Sequence, residues 1–237
     1  MAGQISGTAV AECFRTVFRF DRAGGRQAGK YADLAPARYT PAELGALAAH
    51  YEAEAGRRRG PAGRGWDEVR VGDSLGTLAK GPLTVTNLVG WLLGWGSPLC
   101  QTNRMLHSYL REHPGAMLVD DRTGIADSLA SAHWDQHFAQ MSGFPDAYDY
   151  GCQRFAWLAH LVSDWAGDAG FLRDFDGRLR RPNLLGDITW MSGTVTRKRL
   201  DGDAAVIDCG LTATNQRGEV TASATATVQL PIRSDAR

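Results

Sequence analysis

No charge sign predominates in this chain. Its 237 residues carry 26 Lys and Arg against 26 Asp and Glu, which removes the electrostatic term that nucleic-acid binders depend on. No Lys/Arg run exceeds the Arg57-Arg58-Arg59 triplet, and nucleic acid is not expected as a partner. Long apolar runs are lacking as well. No stretch of about 18 apolar residues occurs, and residues 1–12 contain no basic segment leading into an apolar one. A cytoplasmic protein with no membrane partner is the expectation. Cysteine is scarce and scattered: Cys13, Cys100, Cys152 and Cys209 form no C-x-x-C pair, so neither a disulfide framework nor a zinc ribbon is indicated. The glycines, Gly24-Gly25 included, show no strand-GxGxxG-helix context, which leaves nucleotide cradling unsupported. What is plentiful is apolar material, 43% of residues, ample for a core.

The first third reads as irregular structure around one helix. Thr40-Pro41-Ala42-Glu43 is a capping box with proline at the first helical position, and Leu44, Leu47, Ala48 and Tyr51 follow on one face to about Ala55. The Gly- and Arg-rich segment 57–64 reads as a flexible connector, making 1–64 an extension and 65–237 the main domain. Beyond it, 66–73 alternates into a Gly72-Asp73 turn and predicts a strand. Residues 83–95 predict a helix carrying Leu88, Trp91, Leu92 and Trp95, capped by Thr86 or Asn87 and stopped by Gly96-Ser97-Pro98. A second short helix is expected over 99–113 and a loop over 114–126.

Residues 151–166 place Phe155, Trp157, Leu158, Leu161, Val162 and Trp165 around more than half of a helical circumference, so this helix should be buried. His160 and Asp164 lie four apart on it and read as an ion pair. Three strand-like runs follow at 187–200, 204–214 and 219–230, separated by Asp201-Gly202-Asp203 and by Asn215-Gln216-Arg217-Gly218. In the last run Val220, Ala222, Ala224, Ala226, Val228 and Leu230 share one face. Small inward residues suit a strand curving around a helix, and the layout is α+β.

The order of several short segments resembles the MaoC-like acyl dehydratases and (R)-specific enoyl-thioester hydratases. They are Trp66-Asp67-Glu68-Val69 with Gly72-Asp73, then 81–86 (GPLTVT), then His133-Trp134-Asp135 with Phe138-Ala139, then Tyr148-Asp149-Tyr150-Gly151. Gly186-Asp187 and Asn215-Gln216 with Gly218-Glu219 complete the series. The resemblance covers about 65–231. It implies a hot-dog fold, an antiparallel sheet wrapped around a central helix, with two such units pairing as a homodimer. It implies no metal or redox cofactor, and an acyl chain carried on coenzyme A or an acyl carrier protein as substrate. The reaction it implies is hydration of a 2-enoyl thioester or dehydration of its β-hydroxyacyl counterpart.

The family signature Asp-x-Asn-Pro-x-His is altered here. With the histidine at His133, Ser128, Ala130 and Ser131 occupy the Asp, Asn and Pro places, and Asp127 is one residue out of register. A segment near 97–126 stands as an insertion before it. His133 is the candidate general acid or base, since an imidazole titrates near neutrality. Asp127 and Asp149 are its candidate carboxylate partners. The resemblance places the Gly151 amide, at the start of the buried helix, against the thioester carbonyl, where the helix dipole favours developing negative charge. Tyr148, Tyr150, Gln153 and Arg154 surround that glycine and must either line a ligand cavity or join a structural network. His133 and His137 also have i, i+4 spacing, but no third ligand accompanies them and no metal is expected. Two rival functions are a hot-dog thioesterase and a non-catalytic acyl-binding or partner subunit.

Overall fold

The computed structural model of the protein describes residues 9–17, 31, 34–97 and 99–233; Gly24-Gly25 and Pro98 lie outside the described residues. Five strands form one antiparallel sheet in the order β1-β5-β6-β7-β4: β1 Ser74–Lys80, β4 Phe171–Leu179, β5 Thr189–Asp201, β6 Ala204–Asn215 and β7 Val220–Gln229. Their concave face holds helix α6, Gly151–Ala166. Leu158, Leu161, Val162 and Trp165 of the helix pack with Met191, Val195, Ile207, Leu211 and Val228 of the sheet. Leu158 is completely buried, and burying such a side chain stabilises the fold by about 1.5–3 kcal/mol. Ala222, Ala224 and Ala226 face the helix from β7, and their small side chains leave it room. Ladder irregularities between Val195 and Arg197 and between Ala213 and Thr214 add the bends that a wrapped sheet needs. This is the hot-dog arrangement of the α+β class.

The three carboxy-terminal strands fall where alternation and turn residues place them. Gly202 adopts φ 59° in the β5–β6 turn, a left-handed conformation that favours glycine. Asn215 Oδ1 accepts from the Arg217 and Glu219 amides at 3.0 and 3.1 Å, closing the β6–β7 turn. Strand β4 had no expectation attached to it. It is an edge strand whose residues are largely exposed, Phe171 and Leu179 among them, so no alternation marks it.

Helix α1, Pro41–Glu52, carries the expected capping box between Thr40 and Glu43. Of its expected apolar face, Leu47 is buried, packing with Ala79 and Ile188, while Leu44 and Tyr51 are exposed. A short helix α2, Glu54–Arg57, follows. The segment 57–64 is not a loose connector. Its Arg59 and Arg64 amides donate to the Asp164 and Ala166 carbonyls at 3.0 and 2.7 Å, and Gly60 O accepts from Asp168 N at 2.8 Å. The segment therefore supplies partners to the backbone groups that a helix end leaves unpaired.

The strand expected over 66–73 is absent. Trp66–Glu68 forms a single 3-10 turn, with the Trp66 indole donating to the Val206 carbonyl at 3.3 Å. Pairing to β5 starts only where Gly72 N reaches Val195 O and Val195 N reaches Asp73 O, both at 2.9 Å. The strand thus begins at the turn that was expected to end it. Helix α3, Val85–Trp95, is capped by Thr84, which exchanges hydrogen bonds with Asn87 in a capping box, rather than by Thr86 or Asn87. Gly96 ends it in the left-handed conformation. Helix α4, Asn103–Glu112, falls within the expected 99–113. The expected loop 114–126 contains strand β2, Met117–Val119, which pairs with β3, Ala126–Ser128, in a small hairpin. Helix α5, Gln136–Met141, starts from Asp135, whose carboxylate accepts from Phe138 N at 3.1 Å. Finally, the two ends of the 65–233 unit meet: Trp66 N donates to Pro231 O at 2.8 Å and Arg233 N to the Asp67 carboxylate at 2.9 Å.

Candidate active site

His133 closes a 3-10 turn, Leu129–His133, that leads directly out of β3. The two serines in the altered signature build this turn. Ser128 Oγ accepts from Ala130 N at 3.2 Å, and Ser131 Oγ donates to Ser128 O at 2.7 Å. Both are fully buried, so these positions hold the turn rather than present acid or base.

The His133 ring lies between two tyrosines, with centroids 4.4 Å from Tyr148 and 3.9 Å from Tyr150. Its Nδ1 is 2.9 Å from the Tyr148 carbonyl. A carbonyl can only accept, so Nδ1 carries the proton and Nε2 is the basic nitrogen. Burial pushes the imidazole down to about 4, against the raising effect of the Tyr148 carbonyl and helped by the Arg154 charge. It is therefore neutral at pH 7.

This histidine belongs to a longer file of rings. Trp95 stacks on Trp91 at 5.2 Å and Trp91 on Tyr150 at 5.4 Å. On the other side Tyr148 stacks on Phe144 at 4.0 Å and Phe144 on Tyr31 at 5.7 Å. Helix α3 thus reaches the start of α6 through Trp91, a residue whose apolar spacing had marked it only as a core position. Nothing local in the sequence distinguishes Phe144.

Tyr150 precedes Gly151, the first residue of α6, and no side chain caps this helix. The helix therefore presents its first-turn amides and the positive end of its dipole. Two buried polar atoms of residues at this helix start, the Tyr150 hydroxyl and Gln153 Oε1, have no hydrogen-bond partner among the described residues. Burial raises the Tyr150 phenol well above its ordinary value, which keeps it a hydrogen-bond donor. A β-carbon on Gly151 would overlap the Leu179 δ-methyl, so the end of β4 lies over the helix start. The next residues, Arg180 and Arg181, border a surface cleft of about 660 Å³ whose lining includes neither His133 nor Gly151.

The candidate carboxylates are not paired with His133; among the described residues no hydrogen bond or ion pair joins it to an acid. Asp127 sits on β3, and its carboxylate accepts from the amide of its neighbour Ser128 at 2.6 Å. Asp149 is buried, with Oδ1 accepting from Asn183 N at 3.0 Å and Oδ2 from Asn183 Nδ2 at 2.7 Å. The same Oδ2 lies 2.8 Å from Arg154 Nε. Burial raises this carboxyl above the usual range, and Arg154 and Asn183 counter that. Arg154 also donates to the Thr221 carbonyl at 2.6 Å and to that of Arg181. Of the polar group around Gly151, Asp149 and Arg154 thus form a network that ties α6 to β7 and to the segment after β4. Tyr148, Tyr150 and His133 form a second cluster. Asn183 carried no signal in sequence, because its role depends on a fold that brings it 34 positions back along the chain.

His133 and His137 diverge. His137 Nε2 lies 2.8 Å from Asp121 and 3.6 Å from Asp120, in the turn between β2 and β3. The motif residues Asp187 and Gln216 form a structural clasp with Arg217. The buried Asp187 carboxylate accepts from Arg217 at 2.8 Å, from Gln216 at 2.7 Å and from the Leu184 amide at 2.9 Å.

No protein-family model matches the chain, and no curated protein matches it in sequence. Solved structures do match. The (R)-hydratase from A. caviae involved in PHA biosynthesis is 16% identical, with a TM-score of 0.50 over 69% of this chain and 98% of that one. The monoamine oxidase regulatory protein from Archaeoglobus fulgius is 17% identical, with a TM-score of 0.50 over 73% and 97%. A MaoC domain protein dehydratase from Chloroflexus aurantiacus is 14% identical, with a TM-score of 0.51 over 74% of this chain and 42% of that one. At such identities the likeness is one of architecture. The chain carries the hot-dog fold seen in MaoC-like dehydratases and (R)-hydratases.

Proposed function

We propose that the protein acts on acyl thioesters as a hydratase or dehydratase of the 2-enoyl/β-hydroxyacyl type, carried out by the hot-dog unit 65–237. The observation that carries this reading is the contact of the His133 ring, at a centroid distance of 3.9 Å, with the ring of Tyr150, the residue that delivers the chain into the uncapped start of α6. A thioester carbonyl hydrogen-bonded to the Gly151 amide gains stabilisation as negative charge builds on its oxygen. His133 Nε2 takes a proton from water as the water oxygen bonds to the β-carbon, and then returns that proton to the α-carbon of the resulting enolate. The reverse sequence expels water. Tyr150 and Gln153 hold the acyl group, with Tyr148 fixing the ring of His133. No cofactor takes part in these steps, and the acyl carrier is coenzyme A or an acyl carrier protein.

A second reading is a non-catalytic acyl-binding or partner subunit. It is favoured by the absence of a carboxylate partner for His133 among the described residues and by the low basicity of its buried ring. The two readings separate in one experiment. The first expects loss of enoyl-thioester absorbance on adding protein, cut by at least about a hundredfold in His133→Ala. Thioester binding without turnover under the same conditions would replace it with the second, and release of free thiol would replace it with hydrolysis.

A further inference from the structure

We propose that Glu54, His160 and Asp164 bind a divalent transition metal ion, zinc by preference, at a site separate from His133. Glu54 opens α2, while His160 and Asp164 stand one turn apart on α6, and one ligand atom from each lies within 4.8 Å of the others. His160 Nε2 and Asp164 Oδ2 are already 3.2 Å apart. Ligands about 2.0–2.2 Å from a tetrahedral zinc are separated by roughly 3.3 Å, a spacing that the His160–Asp164 pair already has. All three side chains retain solvent access, from 16% for Asp164 to 39% for His160, and they line a cleft of about 840 Å³ with Tyr51 and Ser163. That cleft leaves the fourth position open to water or an exogenous ligand.

Two features distinguish this group from a chance meeting of surface acids. The elements are fixed relative to each other, since the segment after α2 is hydrogen-bonded to the end of α6 through Arg59 N to Asp164 O and Asp168 N to Gly60 O. A site on anchored elements loses little entropy on binding. The charge is also unbalanced: three carboxylates, Glu54, Asp164 and Asp168, face two cations, Lys80 at 3.4 Å from Glu54 and Arg58 at 3.6 Å from Asp168. A dication at the Glu54, His160 and Asp164 group displaces the Lys80 ammonium and supplies the missing charge. The mixture of imidazole and carboxylate suits zinc, cobalt or manganese better than magnesium or calcium. The comparable group Asp120, Asp121 and His137 is less free, because Arg122 engages both oxygens of Asp120 at 3.1 and 2.8 Å.

The test is titration of the full-length, chelator-treated protein with zinc by calorimetry, and with cobalt by absorption. One equivalent is expected to bind at roughly micromolar affinity or tighter, with a tetrahedral cobalt spectrum. His160→Ala and Glu54→Gln should each weaken binding at least about tenfold while circular dichroism stays unchanged, and His137→Ala should leave it unaltered. Glu54→Gln, on an exposed short helix, serves if His160→Ala disturbs the fold. Absence of binding, a thiolate-to-cobalt charge-transfer band, or loss of binding in His137→Ala alone would each overturn the proposal.

Discussion

At the scale of single residues, His133 and Asp149 show two ways in which burial acts on a titratable group. The His133 imidazole falls to about 4 in the fold from about 6.5 in an unfolded chain. The unfolded state therefore binds the proton more readily, and stability is full above pH 6.5. It declines as pH falls from about 6.5 to 4 and levels off below, a loss on the order of 3 kcal/mol. Urea denaturation at stepped pH should show this decline in the wild type and a flatter profile in His133→Asn. Asp149 makes a different prediction. Its ion pair with Arg154 is fully shielded from water, so Asp149→Ala strands a buried guanidinium and should cost about 3–5 kcal/mol, read as a lowered denaturation midpoint. Asp127, half-buried and bonded only to its neighbour's amide, should tolerate Asn with little change in stability. An equal loss of turnover in both Asp variants, once corrected for folded fraction, would contradict the separation of roles.

At the scale of elements, tight backbone contacts define where substitutions are felt. Gly167 ends α6 at φ 76°, and a β-carbon there would stand 2.5 Å from Gly63 Cα and 2.7 Å from Gly60 O. Gly167→Ala should push segment 57–64 off the helix end and cost at least about 1–3 kcal/mol, with faster amide exchange at Arg59 and Arg64 as the local sign. On β4, a methyl at Gly177 would press on the Phe155 ring at 2.5 Å, so Gly177→Ala should cost a similar amount. The same contacts explain what was legible in sequence. Helices α1, α3 and α6 and the three last strands each carry their signal locally, as caps, apolar spacing or turn glycines. The alternation of 66–73 imitates a strand, yet Val69 is buried and Val71 faces solvent, so the two do not share a face and the pattern marks no strand. Strand β4 was missed because an exposed edge needs no alternation. Of the candidate site, His133 and Gly151 are singled out in sequence only through the family resemblance, whereas the Trp91–Tyr150 stack and the Asn183 contact exist only after the chain has folded back.

At the scale of the whole molecule, the named strands of the sheet end at β1 and β4, neither of which has a second neighbouring strand among the described residues, and β4 exposes Phe171 and Leu179. Edges of this kind call for a covering partner. Sedimentation at micromolar concentration should therefore show a species heavier than 25.7 kDa, and Phe171→Asp should weaken the association by roughly tenfold or more. A persistent monomer would count against a shared sheet.

The meeting of Trp66 with Pro231, and of Asp67 with Arg233, has a bearing on how the chain can be rewired. A unit whose entry and exit are hydrogen-bonded neighbours behaves as a closed circuit, and the point at which it is cut matters little to its packing. Joining 233 to 65 with a few residues and opening the chain at Gly202, in the solvent-exposed β5–β6 turn, should give a circular permutant that keeps α6 and His133 in register, less stable than the full chain by the contacts that 57–64 makes with the end of α6. By the same geometry, a second unit could be threaded in tandem through a short linker without unpicking the first.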